Sequence, residues 1–334
     1  MSNYVVLDLE WNQDPTGRGP AGDRLPFEII EIGAVKLDEN LRIVSEFRRL
    51  ILPRVYRQLH YKIAEVTHLS MDLLLREGVK FEDAVAEFLE WCGEDYYFCT
   101  WGTMDLTELQ RNMVYHGLEL PFPLPFLYYD LQKIYSLLKE DRAKESLDTA
   151  VEQLQIPIEE KRKFHCAADD AYYTALVMAK MGFARKSEYL SVDYYRLPEY
   201  DEEFCLRFPD YDKYVTAPYE EKEDILDDGK LTEVLCSVCH RPVRTKIRWF
   251  SSNQKYYYCL AFCPVHGYVR GKIRIKKAED GEIFAVKTVK LADETSIQKI
   301  LSKKEEMKRK RAERNNRGRA ARAAKRKEDP GMKR

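Results

Sequence analysis

The stretch NYVVLDLEW, residues 3–11, alternates without a break: Val5, Leu7, Leu9 and Trp11 fall on one side of a strand, and Val6, Asp8 and Glu10 on the other. Two carboxylates therefore share one strand face. Adjacent anions on a buried sheet face repel each other unless a cation lies between them. The pattern leaves two solutions, an exposed polar strand face or an acidic site that collects cations.

The segments that follow build an α/β layer around this strand. FEIIEIGAVKLDENLRIVSEFRRLILP reads as two more strands joined at Asp38–Asn40, so the chain opens as an antiparallel three-strand unit. FEDAVAEFLEWC spaces Phe81, Val85, Phe88, Leu89 and Cys92 as one helical stripe, and YYFCTWG is a short apolar strand. DLTELQRNMVYHG is expected to be a helix closed by Gly117, YDLQKIYSLLKE another, and SLDTAVEQLQI a third with Ser146 as N-cap. CAADDAYYTALVMAKMG completes the first domain, read as residues 1–187.

Further acids fall at places where α/β proteins put ligand sites. Asp105 follows the YYFCTWG strand and opens a helix, beyond a strand end; an N-capping role accounts for it equally well. In HCAADDAY, His165 lies in the loop before a helix and Asp170 in its first turns, with Asp169 rotated by about 100°. Phosphodiester hydrolysis by two metals needs several carboxylates around two divalent cations and a base for the attacking water. Magnesium favours oxygen ligands, and a histidine titrates near working pH.

VVLDLEW, EIIEIGAVKLD, TWGTMDLTELQ and FHCAADDAYYTA together resemble the DEDDh, or DnaQ-like, 3′→5′ exonuclease superfamily, in the order D-x-E, D, H-x4-D. The resemblance covers about residues 1–185. In the TWGTMD form of the middle motif it is nearest to the branch that trims RNA 3′ ends, the histone-mRNA and RNA-interference-regulating exonucleases. It implies an RNase H-like fold, a mixed sheet flanked by helices. It also implies two Mg²⁺ or Mn²⁺ ions on Asp8, Glu10, Asp105 and Asp170, with His165 as general base and 3′ ends of single-stranded nucleic acid, RNA before DNA, as substrate. Leu69, in THLS, corresponds to the family's apolar contact to the terminal nucleotide, with His68 standing where the family carries glycine. Trp11 replaces a smaller family residue and is a candidate stacking residue, although alternation turns it away from the acids toward core packing.

Composition changes along the chain. Residues 193–230 mix Asp, Glu, Tyr and three prolines without a steady apolar period, and residues 188–230 read as an acidic, Tyr-rich linker. Residues 231–292 carry YYYCLAFC, GKIRIKK and IFAVKTVKL and read as a small β-rich module. Within it Cys236-x2-Cys239 and Cys263-x2-His266 have zinc-ribbon spacing, two knuckles suited to one structural Zn²⁺. Cys259 is a rival ligand, but four residues of strand, about 13 Å, separate it from Cys263. Cys92, Cys99, Cys166 and Cys205 are scattered and read as free thiols.

The net charge of −1 conceals an asymmetry. Residues 303–334 hold fifteen Lys/Arg against five Asp/Glu, leaving forty against fifty-one in the rest. The segment 293–334 reads as a basic helix or disordered arm, suited to a polyanion such as RNA or a ribosome surface. TKIRWFSSNQKYYYC and GYVRGKIRIKK interleave Lys/Arg with aromatics, a composition that also suits phosphates and bases. No run approaches the ~18–20 apolar residues of a membrane span, and the N-terminus lacks a signal-peptide layout; the expected location is the cytoplasm. The leading expectation is a metal-dependent 3′→5′ exonuclease releasing nucleoside 5′-monophosphates. A DNA exonuclease of repair or proofreading stands second, and a non-catalytic RNA- or ribosome-docking protein third.

Overall fold

The computed structural model describes residues 3–14, 22–139, 143–200, 202–253, 255–278 and 281–328. These fall into two compact units, residues 1–196 and 197–334.

The first unit runs β1 (Asn3–Asn12), β2 (Glu28–Leu37), β3 (Ile43–Leu50), α1 (Tyr61–Thr67), α2 (Met71–Glu77), α3 (Phe81–Cys92), β4 (Tyr96–Thr100), α4 (Asp105–Tyr115), β5 (Leu127–Asp130), α5 (Leu131–Leu138), α6 (Leu147–Gln153), α7 (Ala167–Lys180) and β6 (Ser191–Val192). Its sheet has the order β3-β2-β1-β4-β5-β6 among the described residues. The β1–β2 and β2–β3 pairs are antiparallel, whereas β1–β4 and β4–β5 are parallel. This is the mixed α/β, RNase H-like exonuclease fold that the sequence predicts.

The alternation in β1 sorts two cores. Val5, Leu7 and Leu9 join Ile32, Ala34, Phe88, Phe98 and Leu109 against α3 and α4. Val6 joins Val35, Leu37, Ile134, Ala171, Tyr173 and Val177 against α5 and α7. At about 1.5–3 kcal/mol per large buried apolar side chain, helices are held on both sheet faces. The structure divides the helix predicted for YDLQKIYSLLKE: Leu127–Asp130 is a strand, whose Tyr128 and Tyr129 are buried, and α5 begins only after the Asp130 N-cap accepts from Lys133 N–H, 2.9 Å.

The second unit comprises β7 (Glu203–Arg207), β8 (Tyr211–Thr216), α8 (Asp224–Asp227), α9 (Gly229–Thr232), β9 (Arg244–Asn253), β10 (Tyr256–Cys263), β11 (Gly267–Lys277), β12 (Ile283–Leu291) and α10 (Glu294–Glu328). Its sheet is ordered β7-β8-β12-β11-β10-β9, with neighbours antiparallel. This corrects the linker reading of residues 188–230. Strands β7 and β8 belong to the same sheet as the cysteine module, and Phe204, Phe208, Tyr214 and Val215 are buried there. The period-2 pattern was masked because Asp212, on the same face as Tyr214, is itself buried and paired with His240. The basic tail is helical through Glu328, and its first turns set Ile297 and Ile300 against Ile247, Phe250 and Leu260. Among the described residues no helix is long and apolar enough to cross a membrane.

Candidate active site and metal centre

Strand register brings the first acids together. On the α7 side of the sheet, Val6 lies opposite Val35, Asp8 opposite Gly33, and Glu10 opposite Glu31. Pairing of β1 with β4 extends only through Val6, opposite Cys99. Asp8 and Glu10 therefore lie beyond the carboxyl end of β4, where open α/β sheets bind ligands. Asp105 is the first residue of α4 and is buried; the N-cap is Met104, so the capping alternative does not describe it. His165 lies just before α7 and Asp170 in its first turn. Ligand atoms of Glu10, His165 and Asp170 lie within 4.8 Å of one another.

Gly33 makes this arrangement possible. A Cβ there would fall 2.0 Å from the Ala167 carbonyl carbon, 2.1 Å from Ala168 N and 2.3 Å from Ala167 O. The first turn of α7 thus rests directly on the β2 backbone beside Asp8, with its positive N-terminal end toward the acids. The sequence held a signal for this contact, a glycine inside the isoleucine-rich strand EIIEIGAVKL, which marks close backbone approach. His165 adopts a left-handed conformation, φ 66°. Its backbone N–H donates to Asp170 Oδ2, 3.1 Å. Asp169 is held apart, Oδ1 accepting from Arg162 Nη1 at 3.1 Å and Oδ2 from Lys163 N–H at 3.0 Å.

Electrostatics separate the cluster from the structural acids around it. Buried Glu28 is satisfied by the backbone N–H groups of Arg54, Val55 and Tyr56 at 2.6–2.9 Å. Glu31, fully buried on the same face as the cluster and missed by the sequence reading, pairs with Arg48 at 2.7 Å. The four candidate ligands instead are all raised, by burial first and by neighbouring acids after it. Burial, then Asp105, Asp170, Glu10 and Glu31, holds Asp8 well above the usual carboxylate range. Burial and then Asp170 push Glu10 up to about 8. Burial pushes Asp105 to about 7, although hydrogen bonds from its own backbone and that of Leu9 act the other way. Burial also raises Asp170 to about 6 against the opposing pull of His165. Asp170 Oδ1 is buried with no hydrogen-bond partner among the described residues. An all-carboxylate group with an orphaned oxygen and raised proton affinity fits hard divalent cations.

Both suggested substrate contacts have partners in the protein's own packing. Leu69 is buried with Ile30 and Leu74, next to the C-cap of α1, where His68 takes φ 58°, the left-handed position that glycine fills without strain. Trp11 follows a register shift in β1 and packs on Phe27, ring centroids 5.5 Å apart, on the face away from the acids.

In the second unit Cys236, Cys239, Cys263 and His266 gather their ligand atoms within 4.8 Å. Cys239 Sγ is 3.8 Å from Cys263 Sγ, and His266 Nδ1 is 3.5 Å from Cys236 Sγ and 3.6 Å from Cys263 Sγ. A tetrahedral site with bonds of about 2.3 Å to sulfur and about 2.0–2.1 Å to nitrogen has edges of about 3.5–3.8 Å. The N–H groups of His266 and Val265 hold the Cys263 thiol down at about 6. Cys259 stays out of the group and packs in the space that Gly271 leaves beside Trp249. His240 pairs with Asp212, 3.1 Å.

Comparison with known proteins bears on the first unit. A family model described as Exonuclease matches residues 5–178. The probable 3′-5′ exonuclease KapD of Bacillus subtilis (strain 168) is 28% identical over 156 residues, 46% of this chain and 72% of that protein. Among solved structures, the nuclease domain of 3′hExo, a DEDDh family member bound to rAMP, has 20% identity and a TM-score of 0.48, over 57% of this chain and 97% of that one. A 3′-exonuclease solved in 3′-end-specific recognition of the histone mRNA stem-loop has 21% identity and a TM-score of 0.47, over 59% of this chain and 88% of that one. Because the family match spans just over half of the chain and contains every segment of the D-x-E, D, H-x4-D pattern, the chain belongs to the Exonuclease family and is a hydrolytic 3′→5′ exonuclease of the DEDDh kind.

Proposed function

We propose that the chain hydrolyses single-stranded nucleic acid from the 3′ end, RNA in preference to DNA, releasing nucleoside 5′-monophosphates. The observation that carries this reading is the convergence of Asp8, Glu10, Asp105 and Asp170, all four held above the usual carboxylate range by burial and by neighbouring acids. These four would hold two Mg²⁺ or Mn²⁺ ions. Bound there, the ions would supply a water made acidic enough to attack and charge stabilisation of the leaving 3′ oxygen. His165, exposed at the rim and within 4.8 Å of Glu10 and Asp170, is positioned to take the proton of the attacking water. Its left-handed backbone and N–H bond to Asp170 Oδ2 turn the loop toward the acids. RNA is favoured on the form of the TWGTMD motif. Matched 3′- and 5′-labelled RNA and DNA test the proposal. Loss of the 3′ label as mononucleotide, with the 5′ label shortening in a ladder and RNA cut faster, is expected. Release of the 5′ label as mononucleotide, or internal cuts, would refute the polarity, and equal rates would refute the preference.

The acids also imply a pH dependence. A carboxyl with a folded pKa above its unfolded one contributes stability that is complete below the unfolded value and is lost as pH rises through the folded one. The metal-free protein is therefore expected to melt at progressively lower temperature from about pH 4 to about pH 8, the interval ending near the Glu10 value. Mg²⁺ or Mn²⁺ restores most at the upper end, and Glu10→Gln flattens the fall. Thermal melts with chelator and with metal check this; a wild-type chelated profile parallel to that of Glu10→Gln would contradict it.

For the second unit we propose one structural Zn²⁺ on Cys236, Cys239, Cys263 and His266. The site ties the turn before β9 to the β10–β11 turn, and the surrounding sheet retains its own core. Cys239→Ser is expected to lose one equivalent of zinc by elemental analysis and to lower the melting temperature by ~10 °C, the effect of ~2 kcal/mol in a small domain. Unchanged metal content would remove the assignment.

A further inference from the structure

The sheet of the second unit has two unlike faces. Val269, Ile273, Ala285, Val289, Tyr257 and Cys259 point into the core beside the cysteine cluster. On the opposite face α10 covers only the β9–β10 side, through Ile297 and Ile300. What remains is a cleft of about 480 Å³ lined by Lys213, Arg270, Lys272, Lys290, Lys299 and Lys303, with no Asp or Glu in its lining.

Register explains the concentration of charge. Lys213 on β8 lies opposite Thr288 on β12, Thr288 opposite Lys272 on β11, and Lys272 opposite Tyr258 on β10. In the adjacent row Tyr211 lies opposite Lys290 and Lys290 opposite Arg270. Like charges placed directly across a strand pair are destabilising, so this face gives up stability to gather cations. Asp293, whose charge acts on Arg270, turns to cap α10 by accepting from Ser296 N–H, 2.7 Å. Neighbouring strands are about 4.8 Å apart, so the row from β8 to β11 spreads its cations over about 10 Å. Tyr211 and Tyr258 stand at the two ends of these rows, and the Lys303 ammonium lies 4.0 Å over the Tyr258 ring. Rings beside a cationic track are the arrangement by which single strands are bound without sequence preference.

We infer that this cleft is a second nucleic-acid site, separate from the acidic cluster, that grips the sugar-phosphate backbone of a single strand. The inference rests on the reading of the chain as acting on nucleic acid, but it is tested by binding alone. The probe is a 5′-fluorescent single-stranded 20-nucleotide RNA, titrated by anisotropy over a salt series with the full chain carrying Asp8→Asn to prevent cleavage. Adding Lys272→Glu and Lys299→Glu, both exposed, is expected to weaken binding at least ~10-fold. It should also reduce the salt slope by about 1.4, two phosphate contacts at about 0.7 each for a single strand. Lys272→Gln with Lys299→Gln, which leaves no new charge, gives a smaller loss in the same direction. In the otherwise wild-type chain, turnover of a dinucleotide, which offers the acids a single phosphodiester, is unchanged. Affinity and salt slope equal to those of the parent, in variants that melt at the parent temperature, overturn the inference. Displacement of the RNA by inorganic tripolyphosphate at micromolar concentration would also overturn it, by assigning the cleft to a small polyanion. If the wild-type chain releases no mononucleotide yet the reversal still weakens RNA binding, the proposed catalytic function falls and this site stands.

Discussion

Asp8→Asn is expected to lower nucleic-acid turnover at least ~1,000-fold, about 4 kcal/mol of transition-state stabilisation, while single-stranded RNA binding survives. Asp8 is the residue on which all the neighbouring acids act, Asp105, Asp170, Glu10 and Glu31 together. Removing its charge takes away a metal ligand and also relieves the repulsion that the metal-free fold carries. The same variant should therefore melt at a higher temperature than wild type in chelator at pH 8, and gain less on addition of Mg²⁺ or Mn²⁺. Opposite movements of activity and metal-free stability are the mark of an acid kept for chemistry. Loss of activity together with loss of metal-free stability would mean instead that Asp8 supports the fold.

The second large effect is expected at a residue that touches no substrate. Gly33→Ala should cost about 1–3 kcal/mol of stability, the usual range for overpacking, and at least ~100-fold in activity. The added carbon would meet three backbone atoms of Ala167 and Ala168 at 2.0–2.3 Å, where ordinary contact is 3.4–4 Å. Backbone cannot rotate aside as a flexible side chain can, so the first turn of α7 must lift from the sheet. It would carry His165 and Asp170 away from Asp8 and Glu10, and a displacement near 1 Å at a reacting centre is worth about 100-fold. Circular dichroism distinguishes displacement from unfolding, because a folded variant retains the helical signal while its metal-induced rise in melting temperature shrinks. A folded Gly33→Ala with wild-type turnover would show that α7 can shift without disturbing the acids.

The candidate acids were legible because their geometry is local. Asp8 and Glu10 share a face by strand alternation alone, and the spacing of His165 and Asp170 puts one before a helix and the other in its first turn. Asp105 was legible in position, at the start of a helix after a strand, but its neighbours were not. Leu69 and Trp11 could be nominated only by their places in a family pattern, and Trp11 packs on Phe27 on the face away from the acids. The strands of residues 203–216 escaped because their alternation pairs aromatics with acids and lysines. Packing of β7 on β8 and of β8 on β12 buries Phe204, Tyr214 and Val215, and it buries Asp212 as well, where His240 meets it.

What the sequence determined by itself was which side chains carry charge and which face of each element they occupy, since both follow from residue type and backbone period. Tertiary structure alone decided which charges are compensated. Glu28 meets three backbone N–H groups, Glu31 meets Arg48, and Asp169 meets Arg162, whereas Asp8, Glu10, Asp105 and Asp170 are held above the usual carboxylate range by burial and by the acids around them. The same carboxylate is a structural tie in one setting and a cation ligand in the other. Electrostatic energy sums over all neighbours that packing brings near, and those neighbours lie up to a hundred and more residues away along the chain.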